Sequence, residues 1–359
     1  MEALQLTRSR WIDALRGAAI AQVLVWHFAT AELQKHVPIF GRLTSLTWSG
    51  VDLFFVMSGY LIGSILLKNR GSEGYYSVFY TRRVIRILPL YALALAIFFA
   101  WHPDLFRWYY LMFGQNVAWA SQNSLGPGSI AITWSLAIEE QFYLCLPLMV
   151  ALLPPKIFPK VVALLALFAP VVRAACHMSG YPLAAYFLLP ARMDSLLIGV
   201  FIAWAASTGR LDALRRFAIT AVWPLGLAFG GLALLQLDPH GRVMGTIGYS
   251  VLALFYGCVL VLIVSQHRPF PMFLAPMAWM GLGAYSLYLF HVMILLTSIE
   301  LLGPTMTAFA VGIAVWGFVA FVCWIAIEKP MIAWGHKHFQ YRKPLKRDEA
   351  TQYAGVTIP

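Results

Sequence analysis

The sequence predicts an all-α, polytopic membrane helix bundle with about ten transmembrane helices and both termini in the cytoplasm. Composition is the first observation: of 359 residues, 60% are hydrophobic and 11% charged, against roughly 25% charged in an average soluble domain. The second is that apolar runs of about twenty residues, the length that crosses hydrocarbon, recur along nearly the whole chain. The third is an asymmetry of basic residues in alternate connections. One set carries Arg8, Arg10, Lys68, Arg70, Arg82 and Arg83, then Lys156, Arg210, Arg215, Arg216 and Arg268, and finally Lys337, Arg342, Lys343, Lys346 and Arg347. The other carries only Lys35, Arg42, Arg107 and Arg242. Basic loops stay in the cytoplasm, which assigns the first set and both termini to that side.

The first apolar segment, 11–31, follows a basic start as a signal peptide does. It is too long for one, lacks a small-residue cleavage site and carries charge, so it reads as a retained span. Spans are predicted next at 48–67 and 84–102. The segment 103–132 contains "FRWYYLMFGQNVAW" and then the breakers "GPG", which place it on or dipping into the external interface. Its aromatics have two readings, an interfacial belt or a stacking surface for sugar rings. Further spans follow at 133–153, 159–177, 191–207, 216–236, 244–265, 279–299 and 306–327. Residues 1–330 form one membrane domain in this reading, with 331–359 a short cytoplasmic tail. No internal repeat is evident.

A net charge of +11 raises nucleic acid as a partner, but the positive charge lies in connecting segments without a compact basic motif, which excludes it. Cys145, Cys176, Cys258 and Cys323 fall singly inside apolar segments, so neither a disulfide framework nor a metal site is indicated.

Charges inside spans need a reason, because a charged side chain at mid-bilayer costs on the order of 3 kcal/mol by insertion scales. Asp13, Arg16 and His27 fall within an arc of about 60° on one face of the first helix. Arg16 sits toward the cytoplasm and His27 toward the outside, about 16 Å apart along the axis. Asp52, Glu139, Arg192, Asp194 and His291 repeat the pattern, which argues for a polar, water-reachable cavity. Arg192 and Asp194 have a second reading as a structural ion pair. An imidazole titrating near neutrality is a candidate proton acceptor, and Glu139 or Asp52 is the candidate to orient His27 or stabilise its charged form. Arg82, Arg83 and Arg86 gather at the cytoplasmic start of the third span. They read either as an anion site for a nucleotide phosphate or as a positive-inside anchor on anionic lipid.

The ordered pieces "IDALRGAAIAQVLVWH", "GVDLFFVMSGYLIG", "YTRRVIRILPLY", "TWSLAIEEQFYLCLP", "RMDSLLIG", "YSLYLFH" and "IEKP" run from residue 12 to 330. As a set they resemble the acyltransferase 3 family, integral membrane enzymes that O-acylate bacterial cell-surface glycans and some lipids or small molecules. The resemblance implies a multi-pass protein of the bacterial inner membrane. It implies acyl-CoA, usually acetyl-CoA, as co-substrate from the cytoplasm, with no bound cofactor. The acceptor hydroxyl, on a glycan, a lipid-linked sugar or a small molecule, approaches from outside. Carried over by motif, His27, Glu139 and Asp52 are the catalytic candidates and Arg16, Arg82, Arg83 and Arg86 the acyl-CoA candidates. Asp13, Ser58, Trp134, Arg192, Asp194 and His291 are supporting candidates.

Direct transfer with His27 as general base is the preferred mechanism, and an acyl-enzyme on His27 or Ser58 is the alternative. Many members append an extracytoplasmic hydrolase-like domain. With none within these residues, acceptor selection is expected to lie in the membrane domain or a partner. A polytopic transporter is the competing class, since it also needs intramembrane charges.

Overall fold

The computed structural model describes residues 2–266 and 268–342, with residues 2–9 and 31–33 described by their backbone alone. Arg8 of the basic set is among the latter, and Lys343, Lys346 and Arg347 lie outside the described residues. Among the described residues there is no strand, only helices and one isolated bridge between Glu73 and Arg342. Among the described residues nine helical runs are long and apolar enough to cross a membrane, matching the second to tenth predicted spans. The first predicted span is the 24-residue helix α1 (Glu2–Val25), continued by a π turn over Trp26–Thr30. Peripheral helices present large apolar side chains outward: Trp223 is 75% exposed and Leu227 79%. Such faces are stable against lipid and not against water, and the protein is a multi-pass membrane protein.

The helices that build the interior are α2 (Gly50–Lys68), α3 (Tyr75–Trp101), α4 (Thr133–Leu152), α5 (Phe158–Met178) and α6 (Leu189–Ser207). After α7 (Leu211–Leu234) and α8 (Tyr249–Val264) come α9 (Ala275–Leu282), α10 (Ala284–Leu302), α11 (Met306–Cys323) and α12 (Lys329–His338). Lipid supplies no hydrophobic force between helices, so close backbone approach at small residues does the work of association. The motif glycines are the approach points. A Cβ on Gly59 of α2 would stand 1.9 Å from the Leu196 carbonyl oxygen of α6, and one on Gly199 2.0 Å from that of Val56. Gly50 meets the Ala19 carbonyl in the same way, which draws α1 onto α2.

Two predicted boundaries differ. The span 279–299 is broken at Gly283, because α9 lies across α1 where Gly17 meets the Met277 carbonyl and Gly281 meets that of Asp13. The division at residue 330 falls at the start of α12, which continues α11 through a π turn over Trp324–Glu328. Residues 331–342 are not a separate tail. Gly335 faces Ile85 of α3, the Arg82 Nε donates to the Phe339 carbonyl at 2.8 Å, and the Glu73 N–H donates to that of Arg342 at 3.0 Å.

The segment 103–132 is docked into the bundle as well as laid over it. Gln115 donates to the Thr133 carbonyl at 3.0 Å, and Asn116 pairs with Gln141 of α4. Trp119 is buried whereas Trp108 is exposed, so its aromatics divide between packing and the surface.

Candidate active site

One end of the bundle contains a cavity of about 310 Å³, lined from five long helices and from α12. Its polar wall comprises Arg16 from α1, Ser58 from α2, Arg82, Arg83 and Arg86 from α3, Glu139 and Tyr143 from α4, Tyr285 and Tyr288 from α10, and His336 from α12. Arg16 and Ser58 reach the cavity from α1 and α2, the helices drawn together where Gly50 meets the Ala19 carbonyl. Four guanidiniums around a single pocket make it an anion site in waiting, because planar, always-charged donors match phosphate oxygens.

Each arginine is held differently. Arg16 lies 3.8 Å from Asp13, one turn earlier on the same helix. Arg82 is anchored through the Phe339 carbonyl and over the Tyr341 ring at 5.5 Å. Arg83 sits between the rings of Phe79 and Tyr143, at 6.0 and 5.8 Å, with its Nε unpartnered. Arg86 lines the cavity with no hydrogen bond or salt bridge among the described residues.

Opposite the arginines runs a chain of three side chains. The Tyr143 hydroxyl donates to Glu139 Oε2 at 3.1 Å, and Ser58 Oγ meets that hydroxyl at 2.6 Å. With Glu139 ionised, the tyrosine proton is committed to the carboxylate, so the serine hydroxyl donates to the tyrosine oxygen.

His27 does not line this cavity. It sits half-buried in the π turn that ends α1, a deformation frequent at functional sites. Its Nδ1 lies 2.9 Å from the Val23 carbonyl and 3.3 Å from Nε2 of His291 on α10, with the rings edge to face at 4.8 Å. Tyr288 joins the two regions. Its ring lines the cavity, its hydroxyl pairs with Ser135 Oγ at 2.8 Å, and its carbonyl lies 2.6 Å from Nδ1 of His291. One residue is therefore the shared wall between the arginine cavity and the histidine pair.

Neither carboxylate expected to orient His27 meets its ring. Glu139 turns to Tyr143, and Asp52, fully buried, accepts from Arg192 Nη2 at 2.8 Å and from Ser195 Oγ at 3.2 Å. The partner of Arg192 is thus Asp52 and not Asp194, which pairs with Arg173 at 2.9 Å and accepts from Ser250 at 2.8 Å. The Arg192 guanidinium stacks over the Tyr249 ring at 3.8 Å and is flanked by Trp134 at 5.7 Å and Tyr186 at 5.5 Å. Asp52 with Arg192 and Asp194 with Arg173 are thus two buried ion pairs that, with Trp134, Tyr249 and Ser250, tie α2, α4, α5, α6 and α8 together.

Sequence reasoning missed Tyr143, Tyr288, Glu328 and His336. Tyr143 was readable, since it follows Glu139 by one helical turn within a quoted motif. Glu328, in "IEKP", accepts from the Ser286 N–H and hydroxyl at 3.2 and 2.6 Å and so fixes the π turn before α12 to the start of α10. His336 had no local signal, because it belongs to the polar stretch assigned to the tail.

Compared with known proteins, residues 9–328 match the family described as an acyltransferase domain, acyltransferase 3. An O-acetyltransferase OatA of Staphylococcus aureus (strain NCTC 8325 / PS 47) is 25% identical over 92% of this chain and 58% of its own length. A putative peptidoglycan O-acetyltransferase YrhL of Bacillus subtilis (strain 168) is 27% identical over 92% of this chain and 56% of its own. A peptidoglycan O-acetyltransferase OatA of Listeria monocytogenes is 26% identical over 89% of this chain and 55% of its own. The chain therefore spans somewhat over half the length of these relatives. No solved structure matches. With the match running from residue 9 in α1 to Glu328, through the five long helices that line the cavity and up to the start of α12, the chain belongs to the acyltransferase 3 family.

Proposed function

We propose that the protein is a membrane O-acyltransferase that moves an acyl group, acetyl foremost, from cytoplasmic acyl-CoA to a hydroxyl of an extracytoplasmic glycan. The observation that carries this reading is the arrangement of an arginine-lined cavity and a half-buried imidazole on either side of Tyr288. The excess of Lys and Arg in one set of connections supports a cytoplasmic mouth for the cavity, in a bacterial inner membrane on this reading. The names of the relatives make peptidoglycan the first acceptor to test. A transporter would share the intramembrane charges, but nothing in the cavity or the family favours it.

In this reading Arg16, Arg82, Arg83 and Arg86 hold the phosphates of CoA, and the thioester extends toward Tyr288. His27 Nε2 takes the proton of the acceptor hydroxyl as its oxygen attacks the thioester carbonyl carbon. The C–S bond then breaks, and the CoA thiolate leaves and recovers a proton from the imidazolium. Asp52 serves by holding Arg192, and Glu139 by ordering Tyr143 and Ser58. A covalent stage on Ser58 is the second reading, favoured by the Ser58–Tyr143–Glu139 chain inside the cavity. It requires an acyl-serine that mass spectrometry of the protein after exposure to acetyl-CoA alone detects.

Arg86 is the sharpest test of the donor site, because among the described residues it makes no hydrogen bond or salt bridge that its loss would break. Arg86→Ala is expected to raise the KM for acetyl-CoA roughly 10- to 100-fold, the worth of a charge-assisted contact, with a much smaller change in kcat. Unchanged donor kinetics in a normally inserted Arg86→Ala protein would return the cluster to a topological anchor.

A further inference from the structure

We propose that His291 is the positioning residue of His27: its Nε2 accepts the Nδ1–H of His27, fixes the tautomer that leaves His27 Nε2 free as the base, and shares the charge when that base is protonated. The inference rests on the reading of His27 as the base and adds to it a residue with a defined role.

The hydrogen-bond directions follow from which atoms can only accept. His291 is fully buried, and its Nδ1 lies 2.6 Å from the Tyr288 carbonyl of its own helix. A carbonyl oxygen carries no proton, so Nδ1 of His291 is the protonated nitrogen. In a neutral ring this leaves Nε2 as an acceptor, and that atom is the one facing His27 at 3.3 Å. The Nδ1 of His27 therefore meets two acceptors, His291 Nε2 and the Val23 carbonyl at 2.9 Å. It must carry the hydrogen and share it between them. The lone pair of His27 then lies on Nε2, the nitrogen with no partner among the described residues.

Val23 alone holds the hydrogen within α1, but it does not set the ring against the rest of the bundle. His291 does, because the edge-to-face packing of the two rings and the shared hydrogen act together. The other tautomer of His27, with its hydrogen on Nε2, would lose the hydrogen bond to Val23 and set its unprotonated Nδ1 against the acceptor of His291, two lone pairs facing in a buried site, and a flipped ring would place a carbon there and lose both contacts. After proton uptake the imidazolium keeps its Nδ1–H on His291 Nε2, so the positive charge is spread over a hydrogen-bonded pair and not held on one ring. Tyr288 completes the device. It fixes the His291 tautomer with its carbonyl while its ring lines the donor cavity, so the base is oriented by the same residue that the arriving acyl group meets.

The test uses full-length protein reconstituted in lipid, with acetyl-CoA as donor and a soluble muropeptide as acceptor probe. His291→Leu is expected to lower kcat roughly 10- to 100-fold while the KM for acetyl-CoA stays within about twofold. His291→Gln, whose amide places a carbonyl oxygen near the Nε2 position, is expected to recover most of that loss. A purely structural role would not distinguish the two variants. Wild-type kcat in His291→Leu overturns the proposal, as does a Gln variant no better than Leu or a loss of donor binding in both. His27→Ala keeps the two readings apart. If it retains full activity the base assignment itself fails, whereas an inactive His27→Ala beside a fully active His291→Leu removes only the positioning role.

Discussion

Replacing His27 by Ala is expected to reduce acyl transfer by roughly 100- to 10,000-fold, the contribution of a general base, while acetyl-CoA binding stays close to that of the wild type. The separation follows from the geometry. The arginines proposed to hold the donor reach the cavity from α1 and α3, and His27 lies beyond Tyr288 without lining that cavity. Removing its ring deletes the proton acceptor and leaves every donor contact in place. Arg16→Ala is the converse variant, because Arg16 lines the cavity and shares α1 with His27. Its loss should weaken the donor side first. Both are measured as kcat and KM on membrane-inserted protein at matched levels. Full transfer by His27→Ala would remove the histidine from the chemistry.

Removing Asp52 is expected to destabilise the bundle by about 3–5 kcal/mol, because a buried guanidinium loses its only salt-bridge partner among the described residues. Arg192 Nη2 stands 2.8 Å from Asp52 Oδ1, both side chains are almost wholly shielded, and the rest of the guanidinium is enclosed by aromatic rings. The rings favour the cation but leave its Nε and Nη1 without hydrogen-bond partners, so it tolerates no further loss. Asp52→Ala should therefore lower the unfolding temperature in detergent markedly, and the double variant Asp52→Leu, Arg192→Met should restore much of it, since apolar replacement of both partners removes the orphaned charge. Specific activity of the folded Asp52→Ala fraction should stay far above that of His27→Ala. A folded protein of unchanged stability that is inactive would place Asp52 in the chemistry instead.

The spans were legible because hydrocarbon thickness nearly dictates the length of an apolar run, whereas the single face expected for Arg16 and His27 assumed an unbroken α-helix, and His27 lies in a π turn against His291 while Arg16 lines the cavity. What hydropathy does not register is contact between helices. The break at Gly283 depends on α9 crossing α1 at Gly17 and Gly281, and the polar residues 331–342 are ordered by Ile85 and Arg82 of α3. The same holds in the site. His27 meets His291, 264 positions away, and Asp52 meets Arg192, 140 positions away. A sequence can nominate such charged residues as buried, but the choice among partners is made by which helices the motif glycines bring together. Tyr143 differs, since its bond to Glu139 is within one helix and the i, i+4 spacing announces it.

Oriented proteoliposomes reveal whether the acyl group crosses the bundle from a cytoplasmic donor to an external hydroxyl. Radiolabelled acetyl-CoA is supplied only on the side bearing Arg70, Arg82 and Lys156, with peptidoglycan fragments only on the other. Base-labile, ester-linked label is expected on the fragments, dependent on His27 and lost when acetyl-CoA is moved to the opposite side. Label that appears only when donor and acceptor share one compartment, or that persists in His27→Ala, would contradict this expectation.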